Sequence, residues 1–153
     1  MPRGNNIRRF FSSTWIISGW LWGLFFLMTA CVAVDSGTKS IDEGVKEQWG
    51  IEITSLRMSA GGHMVDFRYR VLDAEKAKPL FTQENKPYLI DEASQKVLAV
   101  PTTAKIGPLR TTGDSKEGRT YWMFFGNGDR LVKAGSKVTV VIGDFRAENL
   151  VIQ

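Results

Sequence analysis

The chain has 153 residues and a formal net charge of +4, but three of its 20 Lys and Arg and none of its 16 acids lie in residues 1–30, so the remainder carries 17 cations against 16 acids. That mixed, near-neutral remainder excludes a nucleic-acid binder, which needs a clustered basic surface. One cysteine excludes an intrachain disulfide, and one histidine excludes a zinc site built on two His.

The first predicted element is a segment for export or anchoring. Arg8-Arg9-Phe10-Phe11 leads into 14 residues, Trp15 to Met28, interrupted only by Ser18, Gly19 and Gly23. A basic start, an apolar middle and small residues at the end are the parts of an export signal. Leu27-Met28-Thr29-Ala30-Cys31 resembles the lipobox of bacterial lipoproteins, with Met28 where that family usually has Leu, Val or Ile. The resemblance implies cleavage between Ala30 and Cys31 and acylation of the Cys31 thiol. Several acyl chains, at about 0.8 kcal/mol per buried methylene, hold a small domain on a membrane. Val32 follows the cysteine where an Asp would imply retention in the inner membrane, so the resemblance favours the periplasmic face of the outer membrane.

Three other readings of this segment stay open. Trp15 to Val34 is 20 residues without a charge, long enough to cross a bilayer uncut as a single-pass inner-membrane anchor. Arg3, Arg8 and Arg9 would then keep the N-terminus in the cytoplasm. A plain cleaved signal peptide is the second, and a buried core helix the third, although five aromatic residues among so few polar positions suit a membrane better. The twin arginine at Arg8-Arg9 is preceded by Ile7 rather than Ser or Thr, which favours ordinary secretion of an unfolded chain over twin-arginine export. The expected organisation is a signal peptide over 1–30, a lipidated tether over 31–48 and one domain over 49–153. A domain of that size buries roughly two-thirds of its unfolded surface and needs no staples.

Along the remainder, Val32 to Lys39 reads as tether, and Ser40 to Trp49 as one or two helical turns, with Ser40 as cap and Glu43 in capping-box position. Ile51 to Thr54 alternates, and Gly61-Gly62 is a turn. Val65, Phe67, Tyr69 and Val71 then alternate with Asp66, Arg68 and Arg70. Period two over that length predicts a strand with one face buried and the charged residues on the wet face. Asp73 to Pro79 breaks it. Pro87 to Glu92 and Lys96 to Val100 flank Ala93-Ser94-Gln95 as a hairpin. Pro101 and Pro108 hold Thr102 to Arg110 to edge strand or loop, and Thr112 to Gly118 is a surface loop. Arg119 to Phe125 is bulky on both faces, the pattern of a central or covered strand. Gly126 to Asp129 turns, Lys137 to Ile142 is a strand, Gly143-Asp144 turns, and Leu150 to Ile152 closes the pattern. Short strands at this spacing predict an all-β fold, an antiparallel β-sandwich of immunoglobulin-like type, with a small barrel as the alternative. The segments His63 to Arg70 and Lys137 to Arg146 resemble exported proteobacterial proteins of unknown function, a resemblance that implies no active site.

Three groups of residues invite a chemical reading. Met58, His63, Met64 and Met123 include soft donors suited to Cu(I), so periplasmic copper handling through Met58, His63 and Met64 is the alternative function. Adjacent strand residues point to opposite faces, which argues for ordinary packing instead. Arg68 and Arg70 beside Asp66 could grip a carboxylate or phosphate, against the plainer account of cross-strand pairing with acids such as Glu52. Trp122 and Phe124 form an interaction patch if exposed and core if buried, and burial is the expectation. Asp114, Glu117 and Asp129 lie in loops without a matched base, nucleophile or metal set. The expectation is therefore not an enzyme and no cofactor. It is a lipid-anchored cell-envelope protein, held to membrane lipid at its N-terminus, whose domain binds an envelope protein partner and no nucleic acid.

Overall fold

The structure is a computed structural model and describes residues 36–153. The expected cleavage at Ala30, acylation at Cys31 and anchor Trp15–Val34 lie outside the described residues.

Helix α1, Ser36–Trp49, runs 14 residues, longer than the one or two turns expected, and Ser40 lies inside it rather than capping it. Its visible hold is tertiary. Val45 is buried in the core, and Trp49 packs edge-on against Phe145, with ring centroids 5.6 Å apart at 84°. Lys46 bridges Asp42 at 2.7 Å and Glu52 at 3.0 Å. Gly50 ends the helix with φ +61, and its N–H donates to the Lys46 carbonyl at 3.0 Å, a left-handed C-terminal cap.

Strand β1, Ile51–Ser59, turns through a 3-10 segment, Ala60–Gly62, into β2, Met64–Val71. The break after β2 holds a short helix α2, Ala74–Ala77, whose first amides are capped by Asp73, and a 3-10 turn, Lys78–Phe81. Then come β3, Tyr88–Asp91, and β4, Val97–Ala99, the expected hairpin. Two-residue strands β5, Thr102–Thr103, and β6, Gly107–Pro108, pair only with each other. The chain ends with β7, Thr120–Gly126, β8, Lys137–Ile142, and β9, Phe145–Val151.

The larger strands form two antiparallel sheets, ordered β1-β2-β7 and β4-β3-β8-β9. Phe67, Tyr69, Tyr121 and Phe125 from the first and Leu89, Val140, Ile142 and Phe145 from the second belong to one buried cluster, the layout of a two-layer sandwich. Among the described residues no helix is long and apolar enough to cross a membrane.

Two bulges set which residues face that core. The β1–β2 register shifts between Ile53 and Ser55, so Ile51 and Ile53 face inward before the shift and Leu56 and Met58 after it. The β8–β9 register shifts likewise, with Asn149 at φ +56, and the inward residues change from Phe145 and Ala147 to Leu150 and Ile152. An inserted residue reverses the parity of a strand. Beyond these bulges the sheets are stitched along one side. The Gln153 N–H donates to the Leu56 carbonyl at 2.9 Å, and the Met58 N–H to the Gln153 carbonyl at 3.1 Å.

Strand β7, expected to be central or covered by another layer, ends its sheet. Its outer edge is closed by a loop. The Phe124 N–H donates to the Leu109 carbonyl at 2.9 Å, and the Thr111 N–H to the Trp122 carbonyl at 2.8 Å. This cover satisfies backbone groups that an open edge would leave to water or to another chain.

Candidate functional site

The outer face of the three-stranded sheet gathers most of the residues with chemical character. Its register places Arg57, Asp66 and Phe124 in one row across the strands, and Ser55, Arg68 and Trp122 in the next. A third row holds Glu52, Arg70 and Thr120. Alternation on each strand sends these side chains to the face opposite the core.

Asp66 was expected on the wet face. It does point outward, yet it is only 2% exposed. Two guanidinium groups account for the difference. Arg68 Nε donates to both Asp66 oxygens at 3.1 Å, and Arg57 Nε and Nη2 donate to Oδ2 at 3.3 Å. Charge-assisted hydrogen bonds from two sides offset the loss of water around the carboxylate. The reciprocal effect falls on Arg68, whose pKa is raised by its hydrogen bond to Asp66 and then by the charge of that carboxylate. The side chains of Arg57 and Arg68 remain 54% and 43% exposed, so one edge of the cluster faces solvent.

Beside this cluster lie Trp122 and Phe124, with ring centroids 5.3 Å apart and planes at 53°. Burial was the expectation for both. Instead Trp122 is 38% exposed and Phe124 half-buried. The reason is again alternation: Tyr121, Met123 and Phe125 fill the core from the same strand, and among the described residues no second layer lies over the other side of Trp122. An aromatic pair on a rigid sheet, flanked by guanidinium groups, can pack against an apolar side chain while an adjacent arginine takes a carboxylate.

The soft donors do not converge. Met58 stands opposite Val65 and packs against the core, whereas Met64 stands opposite Ser59 on the outer face. Met123 is buried. His63 is exposed, and its Nε2 lies 3.2 Å from Arg130 Nη2. Arginine has only donors, so this contact occupies the Nε2 lone pair that a metal would need. Among the described residues no group of three or more His, Cys, Asp or Glu is placed to hold a metal ion. Asp114 and Glu117 are exposed in one loop and Asp129 in another. The Asp114 backbone has a structural part: its carbonyl accepts from the buried Tyr121 hydroxyl at 2.8 Å, while that hydroxyl accepts from the Lys116 N–H at 2.9 Å.

Arg57 was not singled out in the sequence, although a signal for it exists. A hairpin turning at Gly61-Gly62 pairs Ser59 with Met64, hence Met58 with Val65 and Arg57 with Asp66. Counting outward from the turn finds the second cation. Comparison with protein families, with curated proteins and with solved structures finds no match for this chain.

Proposed function

We propose that this is a lipid-anchored cell-envelope protein whose immunoglobulin-like domain binds a protein partner through the Trp122–Phe124 face. The anchoring half rests on Leu27-Met28-Thr29-Ala30-Cys31 and the apolar run before it. The immunoglobulin-like half rests on strand order. With the seven longer strands lettered in sequence and the fourth written C′, the sheets read A-B-E and C′-C-F-G. Immunoglobulin domains likewise keep A, B and E in one sheet and C, F and G in the other, with C′ beside C in the variable type. The fold alone assigns no role, so the binding role has to rest on the residues of the face.

The observation that carries the binding role is the exposure of Trp122 on a sheet whose inner face is already fully used. Trp and Arg are the residue types that dominate the energy of protein interfaces. A photo-crosslinking residue at Thr120, in the row beside Arg70 on the same face, is expected to give a discrete adduct in growing cells. Trp122→Ala should abolish that adduct without lowering the melting temperature. An adduct that persists in Trp122→Ala would place the partner elsewhere. Labelled palmitate tests the anchor separately: the natural chain should take the label and Cys31→Ala should not. An unlabelled chain with an intact Met1 end would point to Trp15–Val34 as an uncut anchor.

A further inference from the structure

A cleft separate from the aromatic face lies between the segment leading into β3 and the β4–β6 region. It encloses 320 Å³ and is lined by Asn85, Lys86, Thr102 and Arg110 together with the apolar Pro87 and Val100. Two of its lining residues are cations and none is an acid.

Arg110 is the unusual member. It is half-buried where the covering loop meets β7. Its guanidinium makes one side-chain hydrogen bond among the described residues, from Nη1 to the Asn85 carbonyl at 3.0 Å. Arg57, Arg68 and Arg146 each have a carboxylate within ion-pair distance, but among the described residues Arg110 has none. It is also close enough to the buried Tyr69 phenol for its charge to act on that group. A partly desolvated guanidinium with four of its five donors uncommitted to protein is costly unless something supplies acceptors. Water can do so at the mouth of the cleft, but an oxyanion does so with charge and with the planar, two-pronged geometry that guanidinium favours.

We propose that this cleft binds a small oxyanion, a carboxylate or phosphate group, with Arg110 as its principal contact. Lys86 at the exposed rim adds a second charge, and Thr102 offers a hydroxyl. Pro87 and Val100 give the ligand a short apolar wall. The site shares no residue with the outer face of the β1-β2-β7 sheet, so either can fail alone.

The test uses the full chain in a neutral detergent, with the arginine Nε–Hε signals followed by NMR while inorganic phosphate or acetate is added at constant ionic strength. The Arg110 signal should shift and saturate below about 10 mM of at least one anion, a weak but specific affinity. Saturation by phosphate alone identifies a phosphate ligand, and by acetate alone a carboxylate. The backbone amide signals of Asn85 and Lys86, which line the same cleft, should saturate with the same midpoint, and Arg110→Gln should remove that response. Lys86 is exposed, so Lys86→Gln should keep the melting temperature while weakening binding about threefold or more. If Arg110→Gln does not fold, the Lys86→Gln titration decides. A linear response to both anions, or a Lys86→Gln titration indistinguishable from that of the natural chain, overturns the proposal.

Discussion

At the scale of single residues, the outward carboxylate of Asp66 is the sharpest case of charge placed against expectation. Strand alternation correctly assigned it to the face opposite Val65 and Phe67, but alternation carries no information on how deeply a side chain is covered. Depth came from Arg57 and Arg68, one across the hairpin and one two places along. Asp66→Ala should therefore cost about 1–3 kcal/mol in urea denaturation, the range for charge-assisted hydrogen bonds. The larger loss seen when a fully buried pair is broken should not occur, because both arginines can rehydrate. A change below about 0.3 kcal/mol would show that the cluster behaves as an ordinary surface pair.

Tyr69 offers a second residue-scale prediction, through pH. Burial raises its phenol well above the ordinary value of 10.0, the nearby Arg110 charge opposes that shift, and Tyr121 adds slightly to it. In the unfolded chain the phenol loses its proton near pH 10, whereas in the folded protein it keeps it. The folded state then binds the extra proton, so its stability is full below pH 10 and falls as pH rises, by at most about 1.4 kcal/mol per pH unit. Tyr69→Phe should flatten the alkaline limb of a stability-against-pH curve measured by urea melts. An equally steep limb in that variant would assign the loss to other groups.

At the scale of elements, β2, the β3–β4 hairpin and β8 were legible because each keeps one period throughout. Helix α1 was only half legible. Ser36–Trp49 has two glycines and few apolar residues, and its packing through Val45 and Trp49 outweighs weak intrinsic propensity. Strand β1 was read only to Thr54, because the bulge reverses its parity there and the alternation looks broken. Strand β7 was read as central or covered because two bulky faces resemble two buried ones, while its place at the end of the sheet was hidden by a closing loop whose prolines disguised the pairing. The junction of α1 and β1 depends on Gly50. A Cβ added there would lie 2.7 Å from Asp73 Cβ and 2.9 Å from the Asp73 carbonyl oxygen, in addition to the strain of φ +61. Gly61, at φ +63, has open space around it. Gly61→Ala should then cost only the left-handed strain, about 1–2 kcal/mol. Gly50→Ala should cost at least about twice that, since Asp73 presents backbone that cannot swing aside. Equal thermal shifts in the two variants would show that the helix can lift off the α2 segment at no cost.

At the scale of the whole molecule, two antiparallel sheets were foreseeable from strand count and spacing, but the way they are joined was not. No periodicity reveals that the last residues leave the β8–β9 register and pair with β1. Ile152 sits at that junction. It is 1% exposed, its N–H donates to the Ser136 carbonyl at 3.0 Å, and its own carbonyl accepts from the Gly135 N–H at 2.8 Å. The neighbouring Gln153 reaches Leu56 and Met58 in the other sheet. The described residues 36–153 belong to one compact unit, so loss of the junction should be felt in both layers together. Truncating Ile152 to Ala removes buried methyl groups and leaves a cavity, at a cost of about 2–5 kcal/mol. If the sheets open as one unit, native-state hydrogen exchange in Ile152→Ala should speed up by the same factor for β2 and for β8 amides, tenfold or more for about 1.4 kcal/mol and above. Acceleration confined to β8 and β9 would mean that the three-stranded sheet, and the aromatic face it carries, keeps its own stability. The Trp122–Phe124 surface would then have to be understood as part of a separable layer, and not as one side of a single cooperative sandwich.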